Sequence, residues 1–210
     1  MRSPIKIMIL TLSLFLGWAG WAGLNALLNG RPESEYAPRP ENKGGQAMAQ
    51  KIEKSETATF AAGCFWGVEY KFSQVKGVLS TVAGYSGGRI KDPTYKDVCS
   101  NTTGHAESVQ VTFDPSQISY AELVRKFFGF HDPTQLNRQG PDVGTQYRSV
   151  IFFGNEEQKK IAEQVKAEVE KSGAFKKRVV TEIVPAGEFF KAEEYHQKYY
   201  EKNKIKSCSF

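Results

Sequence analysis

Cysteine is scarce in this sequence, and its distribution excludes two common structural roles. The chain of 210 residues contains three cysteines, Cys64, Cys99 and Cys208. An odd number of widely spaced cysteines is not typical of a fold stabilised by several disulfides. No two of them form a C-x-x-C pair and the histidines lie far from them in sequence, so we do not expect a structural zinc site. Reversible redox chemistry of separate thiols fits this distribution better.

Methionine is also scarce, and charge is not concentrated in any one part of the sequence. All three methionines, Met1, Met8 and Met48, precede the part of the chain that has the composition of a folded domain. The net charge is +5 and no dense run of Lys or Arg occurs, so nucleic acid is not an expected partner. Hydrophobic residues make up 40% and aromatic residues 12% of the chain, which is enough for the core of one ordinary domain.

The first 28 residues contain the only long apolar stretch. No charged residue occurs between Ile7 and Leu28, and Arg2 and Lys6 precede this stretch. Its length suffices for a helix across a bilayer, which takes about 20 residues. We therefore expect a signal-anchor or a cleaved signal peptide, a cytoplasmic N-terminus, and a membrane-anchored or exported protein on the periplasmic or lumenal side.

A linker and one domain follow. Residues 29–56 are rich in Pro, Gly, Glu and Lys and predict a flexible linker. From residue 57 to residue 210, patterns typical of strands and helices alternate. An α+β two-layer sandwich with helices on one side of a mixed sheet suits this order. The predicted strands are 57–62, 78–83, 108–113, 148–153 and 179–184, and the predicted helices follow Cys64 or span 119–128, 155–173 and 193–200.

Cys64 lies where the first predicted strand turns into a helix. The first N–H groups of a helix have no partners within it, and the helix dipole there favours negative charge. We therefore expect the pKa of the Cys64 thiol to fall below the free value of about 8.5. Gly63 and Gly67 leave room for a substrate, and Phe65 and Trp66 place two aromatic rings beside the sulfur. A buried, inert cysteine is the alternative.

The segment GCFWG at residues 63–67, with Glu69 two residues later, resembles the signature of the A-type peptide methionine sulfoxide reductases. Further segments resemble the same family in the family's order. They are GYSGG at 84–88, PTY at 93–95, GHAE at 104–107, HDP at 131–133 and GTQYRS at 144–149. The resemblance implies a ferredoxin-like core with long active-site loops.

The resemblance also implies roles for four residues in the reaction. Cys64 would be the nucleophile that attacks the sulfoxide sulfur and is left as a sulfenic acid. Glu107 would be the acid that protonates the departing oxygen, and Tyr95 and Tyr147 would hold that oxygen or a bridging water. Taken alone, Glu107 could equally be a solvated carboxylate at a strand edge, and the tyrosines could be ordinary half-buried side chains.

On the substrate side, the resemblance implies that Phe65 and Trp66 form an apolar wall for the substrate methyl group and that Asp142 helps to shape the site. No metal or prosthetic cofactor is implied.

The sulfenic acid must be resolved by a second thiol. Cys208 is the preferred resolving cysteine, because a polar tail near the C-terminus can reach Cys64, although residues 204–210 contain no glycine. Cys99 is either a second relay or a buried small residue. The resemblance implies thioredoxin or an equivalent dithiol as the external reductant.

We therefore predict a monomeric peptide-methionine (S)-S-oxide reductase that repairs free and protein-bound methionine sulfoxide under oxidative stress, with its catalytic domain at residues 57–210. Two alternatives remain at this point. One is another thiol-redox enzyme, such as a peroxidase, and the other is a membrane-tethered binding module with a buried Cys64. A Cys–His hydrolase is less favoured, because no motif ties a histidine to Cys64.

Overall fold

A six-stranded mixed sheet forms the centre of the fold. The computed structural model of the chain describes residues 54–205. Its strands are β1 (Glu56–Ala62), β2 (Val78–Ser86), β3 (Ala106–Phe113), β4 (Arg138–Gln139), β5 (Asp142–Val143), β6 (Ser149–Phe153), β7 (Glu182–Pro185) and β8 (Phe189–Lys191). Its helices are α1 (Phe65–Ser73), α2 (Tyr95–Cys99), α3 (Tyr120–Phe130), α4 (Glu156–Lys171) and α5 (Tyr199–Lys202), with a 3-10 turn at Thr145–Tyr147.

The sheet contains the predicted ferredoxin-like core. Its strand order is β7-β6-β1-β3-β2-β8, and every neighbouring pair is antiparallel except β6 and β7. Within it, β1-α1-β2 and β3-α3-β6 are two strand–helix–strand units whose strands interleave in the order β6-β1-β3-β2, which is the ferredoxin-like arrangement. Strands β7 and β8 extend the sheet at its two edges, and β4 and β5 form a separate hairpin.

Alternation along β1 explains why the helices lie on one face of the sheet. Ala58, Phe60 and Ala62 point into the main core, which also contains buried residues of α1, α3 and α4. The ring of Phe60 stacks on Phe72 of α1 at 5.0 Å and on Phe127 of α3 at 5.3 Å. Successive side chains of a strand point to opposite faces, and a smaller cluster on the other face consists of Ala61, Ala106, Val150 and Phe152. The predicted α+β sandwich is confirmed.

Side-chain caps fix where the longer helices begin. Ser119 precedes α3, and its hydroxyl accepts from the N–H of Glu122 while the Glu122 carboxylate accepts from the N–H of Ser119, a reciprocal capping box. Asn155 caps α4 through the N–H of Gln158. Both caps lie at the predicted starts of these helices, residues 119 and 155.

The last segment differs most from the prediction. A helix was expected over residues 193–200, but the structure has turns there and only a short α5 at Tyr199–Lys202. Lys198 adopts a left-handed conformation (φ 51°), and its N–H donates to the buried carboxylate of Glu69 at 2.7 Å. The side chain of Gln197 bonds both the N–H and the carbonyl of Ala83. These hydrogen bonds to Glu69 and Ala83 replace the backbone hydrogen bonds that a helix over residues 193–200 would form.

No helix between residues 54 and 205 has both the length and the apolar character needed to cross a membrane. We correct the predicted membrane-anchored or exported location, because no helix among the described residues supports it. The expectation depended only on the apolar length of residues 7–28. That stretch, most of the predicted linker and Cys208 lie outside the described residues.

Candidate active site

Cys64 occupies the position before the first residue of α1, as predicted. Strand β1 ends at Ala62, Gly63 turns the chain with φ +90°, and Cys64 has the extended backbone of a helix cap (φ −56°, ψ 120°). Its side chain is partly exposed. A methyl group on Gly63 would lie 2.7 Å from Cβ of Gln139, so glycine is required both by this backbone angle and by the close approach.

Glu107 lies beside the same helix start. It belongs to β3 and is 1% exposed, and its Oε2 accepts a hydrogen bond of 3.0 Å from the N–H of Phe65, the residue after Cys64. Burial raises the pKa of the carboxyl to about 8; the Phe65 N–H opposes this shift, and the charge of Asp142 adds to it. A largely neutral carboxylic acid therefore lies beside the thiol at neutral pH.

Two tyrosines and a second thiol share this environment. Burial raises the pKa of both Tyr95 and Tyr147, and in each case the nearby Glu107 carboxyl adds to the shift. Tyr95 begins α2 and Cys99 ends it, so the two side chains lie on one helix face, where the tyrosine hydroxyl and the thiol form a hydrogen bond. Burial also raises the pKa of the Cys99 thiol.

Asp142 reaches the cluster from the hairpin of β4 and β5. It pairs with Gln139 across the hairpin, and its charge raises the pKa of both Glu107 and Tyr147. The Gln139 amide also bonds the N–H and the carbonyl of Asp132 at 3.1 and 3.0 Å, which fixes the hairpin to the rest of the loop. The long loop expected between His131 and Tyr147 is therefore held by side-chain bonds.

The two aromatic residues after Cys64 have different surroundings. Phe65 is 1% exposed, and its ring packs 5.0 Å from His196 and 5.9 Å from Tyr85. Trp66 is half-buried; its indole N–H donates to Nδ1 of His196 at 2.9 Å, and its ring stacks on Tyr199 at 3.8 Å. A role of these rings in holding the substrate methyl group stays a prediction.

Sequence reasoning missed three residues of the C-terminal segment that complete the site, Glu193, His196 and Tyr199. The Glu193 carboxylate joins Tyr85 and Tyr95, and His196 and Tyr199 both contact Trp66. The Nε2 atom of His196 is buried and has no hydrogen-bond partner among the described residues. The density of Glu, His and Tyr between residues 193 and 200 was the available signal, but we interpreted it only as a helix.

Of the nine residues predicted for the site, the structure brings together seven around the start of α1: Cys64, Phe65, Trp66, Tyr95, Glu107, Asp142 and Tyr147. Cys99 joins them through Tyr95, and Cys208 is not described. Between residues 54 and 205, no group of three or more His, Cys, Asp or Glu side chains could hold a metal ion.

Comparison with known proteins identifies the family. The profile of the family described as peptide methionine sulfoxide reductase matches residues 56–210. The peptide methionine sulfoxide reductase MsrA of Methanosarcina acetivorans is 61% identical over 83% of this chain and 93% of its own length. The peptide methionine sulfoxide reductase MsrA of Methanothermobacter thermautotrophicus is 56% identical over 75% of this chain and 93% of its own length.

Solved structures agree with the sequence relatives. Methionine sulfoxide reductase A of Corynebacterium diphtheriae has a TM-score of 0.65 and 40% identity over 74% of this chain and 78% of its own. Mxr1 of Saccharomyces cerevisiae in reduced form has a TM-score of 0.69 and 37% identity over 74% of this chain and 90% of its own. The profile match, the high identity and the shared fold lead to one conclusion: the chain belongs to the A-type peptide methionine sulfoxide reductases.

Proposed function

We propose that residues 57–210 reduce the S epimer of methionine sulfoxide, free or in proteins, to methionine, with Cys64 as the nucleophile. One observation carries the proposal. The N–H of Phe65, directly after Cys64, donates to the carboxyl of Glu107, so a nucleophilic thiol and a buried acid lie at one helix start. Family membership supplies the substrate class.

The reaction moves one oxygen atom from substrate to enzyme. The Cys64 thiolate attacks the sulfoxide sulfur and forms an S–S bond with it, while the sulfoxide oxygen takes up one proton. The hydroxyl then passes to the Cys64 sulfur as its bond to the substrate sulfur and the S–S bond both break, which releases methionine and leaves Cys64 as a sulfenic acid. The substrate sulfur gains two electrons, and Cys64 loses two. Because the oxygen becomes strongly basic during the attack, an acid beside it lowers the barrier.

Glu107 is the proton donor in this proposal. Burial raises its pKa to about 8, so most of the carboxyl carries its proton at neutral pH. Tyr95 and Tyr147 have raised pKa values as well, which keeps both hydroxyls neutral and able to donate to the sulfoxide oxygen. Phe65 and Trp66 form the apolar side of the site, and Asp142 bounds it from the hairpin.

Turnover requires a second thiol and an external dithiol. Attack of a thiol on the Cys64 sulfenic acid forms a disulfide and releases water, and thiol–disulfide exchange then restores Cys64. We propose Cys208 as the resolving thiol, Cys99 as a second relay, and a thioredoxin-like protein as the reductant. No prosthetic cofactor takes part in this scheme, and the enzyme acts as a monomer in repairing oxidised proteins.

The rival functions are less well supported. Membership in the methionine sulfoxide reductase family disfavours a peroxidase. A binding module with an inert Cys64 conflicts with the partial exposure of that thiol beside a buried acid.

The proposal is tested with the purified chain, dithiothreitol and a peptide that contains either the S or the R epimer of methionine sulfoxide. Reduction of the S epimer alone, abolished in Cys64→Ser, is expected. Activity on the R epimer, or activity that survives in Cys64→Ser, would overturn it.

A further inference from the structure

Glu193 connects the catalytic loop region to the core of the sheet. Its Oε2 accepts a hydrogen bond of 2.8 Å from the hydroxyl of Tyr85, and its Oε1 accepts one of 2.9 Å from the backbone N–H of Tyr95. Tyr85 lies in β2 and is fully buried. One carboxylate therefore joins a rigid side chain of the core to the first residue of α2.

Besides this bond, α2 is held by the buried side chain of Val98 and by the ring of Tyr95, which lies 4.5 Å from that of His196. This helix has five residues, of which only Val98 is buried, and its capping box between Thr94 and Asp97 lies at the surface. The first N–H groups of a helix have no partners within it, so an external acceptor at Tyr95 completes the helix start. The bond from Tyr95 to Glu193 is therefore a main attachment of this short helix to the sheet.

The helix held in this way carries two reactive groups. Tyr95 and Cys99 lie on one face of α2, where the hydroxyl and the thiol form a hydrogen bond, and Glu107 lies near both. A shift of α2 by a fraction of an ångström would move the Tyr95 hydroxyl relative to the sulfoxide oxygen. Catalytic hydrogen bonds are sensitive to such displacements.

We propose that Glu193 is a positioning residue, which holds the Tyr95 hydroxyl in reach of the sulfoxide oxygen during the attack by Cys64. This inference rests on the proposed reductase function. Glu193 does not contact the reacting atoms and acts through Tyr95.

Glu193 is charged in the folded protein. Partial burial opposes its ionisation, but the bonds from the Tyr95 N–H and the Tyr85 hydroxyl, together with nearby His196, hold the pKa of its carboxyl below the usual value. A glutamine at this position has one oxygen and one amide group. Its oxygen can accept from the Tyr95 N–H while its amide nitrogen donates to the hydroxyl oxygen of Tyr85, so glutamine can keep both bonds, whereas alanine keeps neither.

The test compares Glu193→Ala with Glu194→Ala. Both remove one negative charge, but the carboxylate of Glu194 is exposed and, among residues 54–205, pairs only with Lys191 and Lys202 at the surface. The reduction of an S-sulfoxide peptide in a single turnover is the readout. We expect Glu193→Ala to slow methionine formation by about five- to tenfold, which corresponds to the lost hydrogen bond at the start of α2. Glu194→Ala should stay within twofold of the wild type. Equal rates in the two variants would overturn the proposal.

A double-mutant cycle separates positioning from a general loss of structure. If Glu193 acts through Tyr95, then Glu193→Ala should have little further effect in a Tyr95→Phe background. Additive effects of the two changes would overturn the proposal.

Tyr85→Phe keeps the carboxylate and removes only its core anchor, and it should slow the single turnover by a smaller factor. No effect of Tyr85→Phe would overturn the anchoring role and with it the proposal. A wild type that fails to reduce the S-sulfoxide at all would instead overturn the proposed function.

Discussion

The backbone N–H of Phe65 donates a hydrogen bond of 3.0 Å to the carboxyl of Glu107. The same helix start therefore holds a thiol, at Cys64, and a carboxyl that is almost completely buried. The N–H favours the ionised form of the carboxyl, but loss of hydration outweighs it, and the pKa rises to about 8. The Glu107 carboxyl therefore carries the proton that the reaction needs, at the same helix start as the nucleophile.

This arrangement makes the activity depend on pH. The rate of sulfoxide reduction in a single turnover should fall as pH rises through about 8, because Glu107 then loses its proton. Glu107→Gln should slow the step by about 10²–10⁴-fold, the usual contribution of a general acid, and should abolish the alkaline fall. A stopped-flow pH profile of both proteins checks this. An alkaline fall that persists in Glu107→Gln would contradict the assignment.

The same carboxyl should lower stability at alkaline pH. Its pKa is 4.5 in the unfolded chain and about 8 in the folded one, so between these values the folded state binds more protons. The part of the folding stability that depends on this carboxyl is fully present below pH 4.5 and is lost as pH rises towards 8. Glu107→Gln removes this loss, so the variant should unfold at a higher temperature than the wild type at pH 8.5 and should have less advantage at pH 5. Thermal unfolding at both values measures the difference.

Gly63 should be far less tolerant of a side chain than Gly173. Both have positive φ, +90° and +71°, but a methyl group on Gly173 would meet nothing within 4 Å, whereas one on Gly63 would overlap Gln139. We expect Gly173→Ala to cost about 1 kcal/mol from backbone strain alone. Gly63→Ala should cost about 1–3 kcal/mol more and should lower activity, because Gln139 holds the hairpin that carries Asp142. Denaturant unfolding compares the two variants. Equal losses would contradict the close packing of Gly63.

The two further cysteines should behave differently in recycling. Burial raises the pKa of the Cys99 thiol, which makes it a poor nucleophile at neutral pH. We therefore expect Cys208→Ser to lose turnover driven by thioredoxin but to keep turnover driven by dithiothreitol. Cys99→Ser, which removes only the second relay, should lower thioredoxin-driven turnover by a smaller factor and keep turnover driven by dithiothreitol. Steady-state assays with each reductant distinguish them. The opposite pattern would make Cys99 the resolving thiol.

Local sequence signals predicted the parts of the fold that depend on neighbouring residues. The position of Cys64 between β1 and α1 follows from the short β-branched and apolar stretch before it and the helical spacing after it. The capping box of Ser119 and Glu122 was also readable, since both partners lie within one turn. Thr94 and Asp97 form a similar box, but Asp replaces the usual Glu or Gln, and no helix was predicted at α2.

Contacts between distant residues could not be predicted in this way. Glu193 and His196 meet Tyr95 and Trp66 only after the chain has folded, and no spacing rule connects them. The helix expected over residues 193–200 is absent because Glu69 and Ala83 bind the backbone and side chains of that segment. Glu107, Tyr95 and Tyr147 were predicted from the family resemblance, since their own spacing contains no catalytic signal.

The bond between Trp66 and His196 joins residues that are 130 positions apart in the chain. The ribosome therefore synthesises Cys64 and Trp66 long before His196, whose imidazole accepts the hydrogen bond from the indole N–H. Until then Cys64 lies in a partly assembled cleft, because Tyr199 and Glu193 are also missing. During synthesis, sulfoxide chemistry should begin only when this C-terminal segment has docked.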